Sequence, residues 1–273
     1  MTATDAQATS ITWIGHSTVL LEVDGLRLLT DPLLRPGFAH VRRVAPPPDA
    51  DALADLDVVL ISHAHYDHLD VPSLRRLGRS QHIVAPLGAG RLLRGRGFTD
   101  VTEVAVGDEL ELGTVTIRAT PADHHPRRRP FGAEAPPVGY DVAGSSRIYF
   151  AGDTDVFDEM AGMVPELDVA LLPIGGWGPR VPKGHLDPLR AAQALVLLRP
   201  RVAVPIHWGT YLRVGLPRQP EVVRAPAERF VQHAHELAPE VDVQVLPVGG
   251  RLALPAVGAG APAGPEAPAG VRS

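Results

Sequence analysis

Six consecutive residues, His63-Ala64-His65-Tyr66-Asp67-His68, place three imidazoles and a carboxylate directly behind the short apolar run Asp57 to Ser62, DVVLIS. Such a run reads as a buried strand, so the polar cluster lies on the loop at its carboxyl end, where a rigid scaffold positions functional side chains. In an extended segment, side chains two residues apart point the same way. His63 and His65 can therefore chelate one ion, while Asp67 and His68, where the chain turns toward a helix at Val71 to Leu77, can face a second. The chain has 12 histidines and no cysteine. Disulfides, thiolate nucleophiles and Cys-based zinc sites are excluded, and any metal must be held by nitrogen and oxygen.

Short β-like runs alternate with amphipathic helical ones through the 273 residues, which indicates an α/β class. Thr18 to Val23 and Leu26 to Thr30 flank Asp24-Gly25, a favoured hairpin dipeptide. Further strands are expected at His82 to Ala85, Val101 to Val106, Val115 to Ala119, Val138 to Val142, Arg147 to Ala151, Asp168 to Pro173 and Val202 to Ile206. Helices are expected after the cap Asp187-Pro188 and from about Pro226 to Leu237. The chain echoes itself: hairpin, DVVLIS, helix, IVAP in the first half, then hairpin, DVALLP, helix, VAVP in the second. Two similar β-rich halves packed face to face with helices outside is the simplest architecture, with a ligand where loops of both halves meet. The segment after Pro255 is rich in Ala, Gly and Pro without a period. It reads as a disordered tail (255–273) behind a single domain (1–254).

Net charge is −5, so no global basic footprint for nucleic acid exists and no nucleic-acid partner is expected. The first ten residues lack the basic and apolar regions of a secretory signal, and no apolar run approaches the roughly 18 residues that span a bilayer. A cytoplasmic chain without a transmembrane segment is expected.

The HxHxDH spacing resembles the signature of the metallo-β-lactamase superfamily, whose fold is a four-layer αββα sandwich. The resemblance extends to three later motifs, each behind an expected strand. Pro121-Ala122-Asp123-His124 implies His124 as a further ligand, Gly152-Asp153-Thr154 implies Asp153 as a carboxylate bridging two ions, and Ile206-His207-Trp208 implies His207 as the last ligand. Singly, Asp153 reads as a turn residue and His207 as a buried hydrogen-bonded histidine; their order along the chain is what joins them. A finer resemblance is to the branch of N-acylphosphatidylethanolamine-hydrolysing phospholipase D and ascorbate-6-phosphate-lactonase-like hydrolases. It rests on Trp13-Ile14-Gly15-His16-Ser17-Thr18, Leu29-Thr30-Asp31-Pro32 and His185-Leu186-Asp187-Pro188.

The resemblance implies a binuclear hydrolase. His63, His65, His124 and Asp153 would serve one ion, and Asp67, His68, His207 and the shared Asp153 the other. Two divalent ions about 3.5–4 Å apart can share a hydroxide nucleophile at neutral pH and polarise the scissile bond. Zinc suits imidazole and carboxylate best, with manganese or iron also compatible. Asp67 thus belongs to the catalytic machinery, and His185 is assigned to substrate contact or leaving-group protonation. Asp31 is the candidate acceptor for the outer nitrogen of a ligand histidine. His16 reads either as a hydrogen-bonded core histidine or as a second such support. Trp177, beside Gly175-Gly176, reads as pocket wall or core, and Arg127, in the run Arg127-Arg128-Arg129, as an anion clamp or a solvated charge. The expected substrate is a small-molecule or lipid-like ester, tilted by the arginines and the phospholipase-like motifs toward phosphodiesters. A lactone or carboxylic ester is the alternative within hydrolysis, and a non-catalytic metal-binding sensor the alternative outside it.

Overall fold

The structure is a computed structural model that describes residues 9–49, 51–126, 134–178, 181–216 and 218–254. Two seven-stranded sheets face each other. The first runs, edge to edge, Arg251–Ala253, Ser10–Gly15, Thr18–Val23, Leu26–Thr30, Val58–Leu60, His82–Pro86 and Val101–Val104. The second runs Asp242–Val243, Val202–Ile206, Val169–Pro173, Arg147–Phe150, Val138–Ala143, Val115–Pro121 and Glu109–Leu112.

The repeat in the sequence is a repeat of topology. In each sheet antiparallel strands lead into parallel ones, and DVVLIS and DVALLP each supply the first parallel strand after the turnover. Their leading aspartates act alike. Asp57 accepts the backbone N–H of Arg27 at 2.8 Å and Asp168 that of Arg147 at 2.9 Å, each fixing the start of the neighbouring strand.

Helices cover the outer faces and complete the expected αββα layers. α1 (Val71–Leu77) and α2 (Gly90–Arg94) lie on the first sheet, and α3 (Pro188–Leu198) and α4 (Pro220–Leu237) on the second. Burial on both faces explains why DVVLIS shows no alternation. Val58 and Leu60 enter the inter-sheet core with Tyr140, Phe150 and Leu171, whereas Val59 and Ile61 pack under α1 with Leu69 and Leu74. Asp70 caps α1 by accepting from the Ser73 N–H, and Asp187 caps α3 by accepting from that of Arg190.

Three local readings change. α4 starts at Pro220, so Pro226 lies inside it rather than at its first turn; both prolines carry the same start signal, and the amphipathic face continues through the second. The paired part of DVVLIS is only Val58–Leu60, but Ile61 N–H still bonds Val84 O at 2.9 Å and keeps the chain extended up to the cluster. A third sheet of Gly37–Phe38, Val41–Arg43 and Tyr211–Arg213 was not expected, because strands of two or three residues carry no readable period. No helix among the described residues is long and apolar enough to cross a membrane. The tail expected at 255–273 lies outside the described residues.

Candidate metal centre

The carboxyl ends of strands from both sheets meet at one edge of the sandwich. Asp31 follows Leu26–Thr30, His63 follows Val58–Leu60, Asp153 follows Arg147–Phe150, and His207 follows Val202–Ile206 directly. His16 leaves the first strand through Gly15, whose φ is +124°. His16, Asp31 and His207 themselves have positive φ, at 56°, 33° and 62°. These left-handed turns re-aim the chain where the three side chains converge.

Of four overlapping donor groups among the described residues, one joins Asp31, His63 and His68, another joins His124, Asp153 and His185, and two flank Asp153. His63, His65 and His124 make the first, with His63 Nε2 and His124 Nε2 each 3.0 Å from His65 Nδ1. Asp67, His68 and His207, joined by His16, make the second, with His207 Nε2 3.3 Å from His68 Nε2. Between them, Asp153 Oδ2 is 3.1 Å from His68 Nε2 and 3.9 Å from His63 Nε2, and its Oδ1 is 3.3 Å from His207 Nε2. His63, Asp67, His68, Asp153 and His207 are buried; His65, His124 and His185 are partly exposed and mark the open side.

The outer ring nitrogens are held by acceptors. His68 Nδ1 donates to Asp31 Oδ2 at 2.7 Å, His124 Nδ1 to Gly184 O at 2.6 Å, and His207 Nδ1 to Gly175 O at 3.0 Å. His63 Nδ1 lies 2.9 Å from Ser62 Oγ, whose own proton goes to Asp31 Oδ2, so this hydroxyl accepts from His63. Protons on the outer nitrogens of His63, His124 and His207 leave their Nε2 lone pairs turned inward. A single Nδ1 proton on His65 can satisfy only one of the two nitrogens that approach it. Unpaired lone pairs at hydrogen-bond distance repel unless a cation lies among them. Asp153 Oδ1 is also buried without a hydrogen-bond partner. This all-nitrogen-and-oxygen donor set fits divalent cations, zinc among them.

Electrostatics point the same way. Burial and the neighbouring His68 push the His63 imidazole well below its ordinary range, and burial lowers His124 to about 4. Both rings are therefore neutral donors near pH 7. Burial works against charge on Asp67 and Asp153, yet surrounding imidazoles hold both carboxylates well below the usual range. Burial likewise opposes charge on His68, but Asp153, Asp67 and Asp31 raise it well above the imidazole range. Three buried carboxylates thus demand positive charge at this point.

The remaining candidates separate clearly. Asp31 is fully buried and accepts from His68, from Ser62 Oγ and, through Oδ1, from the Ser62 N–H at 2.7 Å. His16 is a buried hydrogen-bonded histidine that also supports the cluster. Its Nε2 is 3.0 Å from Asp67 Oδ2, its ring lies 3.8 Å from that of His207, and burial lowers its pKa to about 3, so it donates to Asp67 as a neutral ring. His185 stands over the first group, its Nε2 3.4 Å from Asp153 Oδ2 and its ring 4.5 Å from that of His124. Trp177 packs beside Leu33, Val41 and Tyr211 and edge-on to Phe38. Arg127 lies outside the described residues. Sequence reasoning missed Ser62 and the carbonyls of Gly175 and Gly184. Ser62 could have been noticed as the polar residue ending an apolar strand beside His63, but backbone acceptors leave no signal in side-chain identity.

A family model described as a beta-lactamase superfamily domain matches residues 26–208. The chain belongs to the metallo-β-lactamase superfamily. It is 34% identical over 247 residues to a metal-dependent hydrolase of Methanopyrus kandleri, covering 88% of this chain and 97% of that one. It is also 34% identical over 232 residues to N-acyl-phosphatidylethanolamine-hydrolyzing phospholipase D 1 of Caenorhabditis elegans, covering 73% of this chain. That alignment spans only 64% of the nematode protein's length. Among solved structures, a metallo hydrolase from Ignicoccus hospitalis superposes with a TM-score of 0.67 at 26% identity, covering 91% of this chain and 99% of that one. This superfamily member is a metal-dependent hydrolase whose His/Asp cluster can bind metal.

Proposed function

We propose that this superfamily member is a binuclear hydrolase of an ester-type bond, acting on phosphodiester or other phosphorylated, lipid-like substrates. The observation that carries the reading is the pair of donor groups flanking Asp153, with the outer nitrogens of His63, His68, His124 and His207 each committed to an acceptor. His63, His65 and His124 would hold one cation and Asp67, His68 and His207 the other, with Asp153 serving both. Zinc is the metal expected. When bound, such a pair acidifies water toward neutral pH and polarises the bond to be broken.

The chain's own residues supply order and a proton. Asp31 fixes two ligand rings at once, His68 directly and His63 through Ser62. His16 holds Asp67 from behind, and fixed ligand rings need no reorganisation as charge develops in the reaction. His185 is partly exposed at the open side, and although burial opposes it, contact with Asp153 raises its pKa above the ordinary range. Its Nε2 is thus placed to hold a proton for a departing oxygen. The phosphodiester tilt is supported by the named activity of the nematode relative and by the arginine run at 127–129, which could meet an anionic group.

Metal analysis of purified protein, followed by assay of the zinc-loaded form against bis(p-nitrophenyl) phosphate and a panel of lactones and carboxylic esters, tests the reading. Two ions per chain with phosphodiester turnover is the expected result. Turnover confined to lactones would overturn the substrate class, and full occupancy without turnover would favour a sensor.

A further inference from the structure

His124 stands on the loop behind its strand and not at the strand end itself. The strand before it ends at Pro121, three residues earlier, whereas His207 follows its strand at once. What fixes His124 comes from two other parts of the chain. Its Nδ1 donates to Gly184 O at 2.6 Å, and the Gly184 N–H donates back to Asp155 Oδ2 at 3.3 Å. Asp155 N–H also bonds Asp123 O at 2.9 Å, beside His124, and Asp123 N–H bonds Thr154 Oγ1 at 2.9 Å. The Asp155 carboxylate is gripped by one nitrogen of Arg190, Nη1, at 2.9 and 2.6 Å. Arg190 stands in the first turn of α3 and also reaches the cap residue, with Nε 3.3 Å from Asp187 Oδ2.

We propose that Asp155 and Arg190 are positioning residues that clamp the Gly184 peptide, and through it select the orientation of His124 at the first cation position. The proposal rests on the binuclear reading above. Three segments meet at this ion pair: 121–125 with His124, 153–156 with Asp153, and 184–190 with His185. The peptide whose carbonyl orients a ligand ring therefore adjoins the residue that faces substrate. Gly184 suits the role, since its φ of +78° is one that a residue with a Cβ rarely adopts. Among the described residues, the rings of the second position are held by Asp31 and Gly175 and not by Gly184. Through Gly184 the clamp acts on His124, a donor of the first group and not of the second.

The test is stepwise cobalt(II) binding to the metal-free full chain, followed by its visible absorption and by chelator competition, in the wild type, D155A, R190M, R190K and G184A. H124A identifies the step that belongs to the first position. D155A and G184A are expected to weaken that step about tenfold, in the range measured for residues that support metal ligands, and to leave the other step within about twofold. R190M is expected to do the same less strongly, R190K to recover part of the loss, and the D155A/R190M double variant to bind no worse than D155A, since both act on one path. Asp155 and Arg190 side chains are 19% and 27% exposed, so thermal melting of each metal-free variant is followed beside binding, and the stepwise assignment is read from variants that stay folded at the assay temperature. Unchanged binding in D155A, or equal weakening of both steps, overturns the clamp while leaving the binuclear reading intact. A wild-type chain that takes up no cobalt overturns both.

Discussion

Replacing Asp31 by Asn keeps the volume of the side chain and removes its charge. The carboxylate accepts three hydrogen bonds at a fully buried position, from His68 Nδ1, Ser62 Oγ and the Ser62 N–H. An amide offers one oxygen and two donors, so at least one of these partners would face a donor. A buried donor left unsatisfied costs about 1–3 kcal/mol, which lowers the melting temperature of a chain this size by several degrees. The larger effect falls on metal. Because Asp31 orients His68 directly and His63 through Ser62, it reaches both proposed cation positions, unlike the clamp proposed for Asp155. Loss of a partner behind a ligand weakens metal binding roughly 10–100-fold, or about 1.4–2.8 kcal/mol per position. Zinc competition with a chromophoric chelator should show both dissociation constants rising by that factor in D31N. Weakening of only one step, or of neither, would refute the relay through Ser62.

His185→Ala is expected to lower turnover at least tenfold while metal content stays near two ions per chain, measured by elemental analysis beside the kinetic assay; loss of metal would move His185 into the ligand set. Gly152→Ala introduces a Cβ that would meet Ser62 Cβ at 2.6 Å and Oγ at 2.9 Å, on a backbone with φ +61°. It should destabilise the chain by about 1–3 kcal/mol in chemical denaturation and weaken metal at His63, whereas a silent substitution would show that Ser62 is free to shift. Stripping metal with a chelator should lower the melting temperature, since an ion at 100 times its dissociation constant stabilises by about 2.7 kcal/mol. Zinc should restore it, and a melting curve indifferent to both would argue against a metal held by the native state.

Much of this molecule is written locally. A run such as DVVLIS must be buried on both faces to hide its apolar side chains, and two such runs, each led by an aspartate, announce two sheets of like topology. The chelating pair His63 and His65 follows from the alternation of an extended chain. Ligand identity could be read for the same reason: a cation needs particular donor atoms, and those are properties of side chains. The start of α4 and the three-stranded sheet were not legible, because Pro220 and Pro226 carry the same signal and because very short strands have no period.

What tertiary structure alone decided is who supports whom. Asp31 and His68 are 37 residues apart, and Gly184 and His124 are 60 apart. His207 reaches His68 across 139 residues. No pattern in the sequence encodes these distances. The acceptors behind His124 and His207 are backbone carbonyls, which every residue possesses and no residue type reports. The sequence determined which atoms can bind a cation. Packing two sheets face to face determined which nitrogen of each ring turns inward, because a buried ring must commit its other nitrogen to whatever acceptor the fold brings to it.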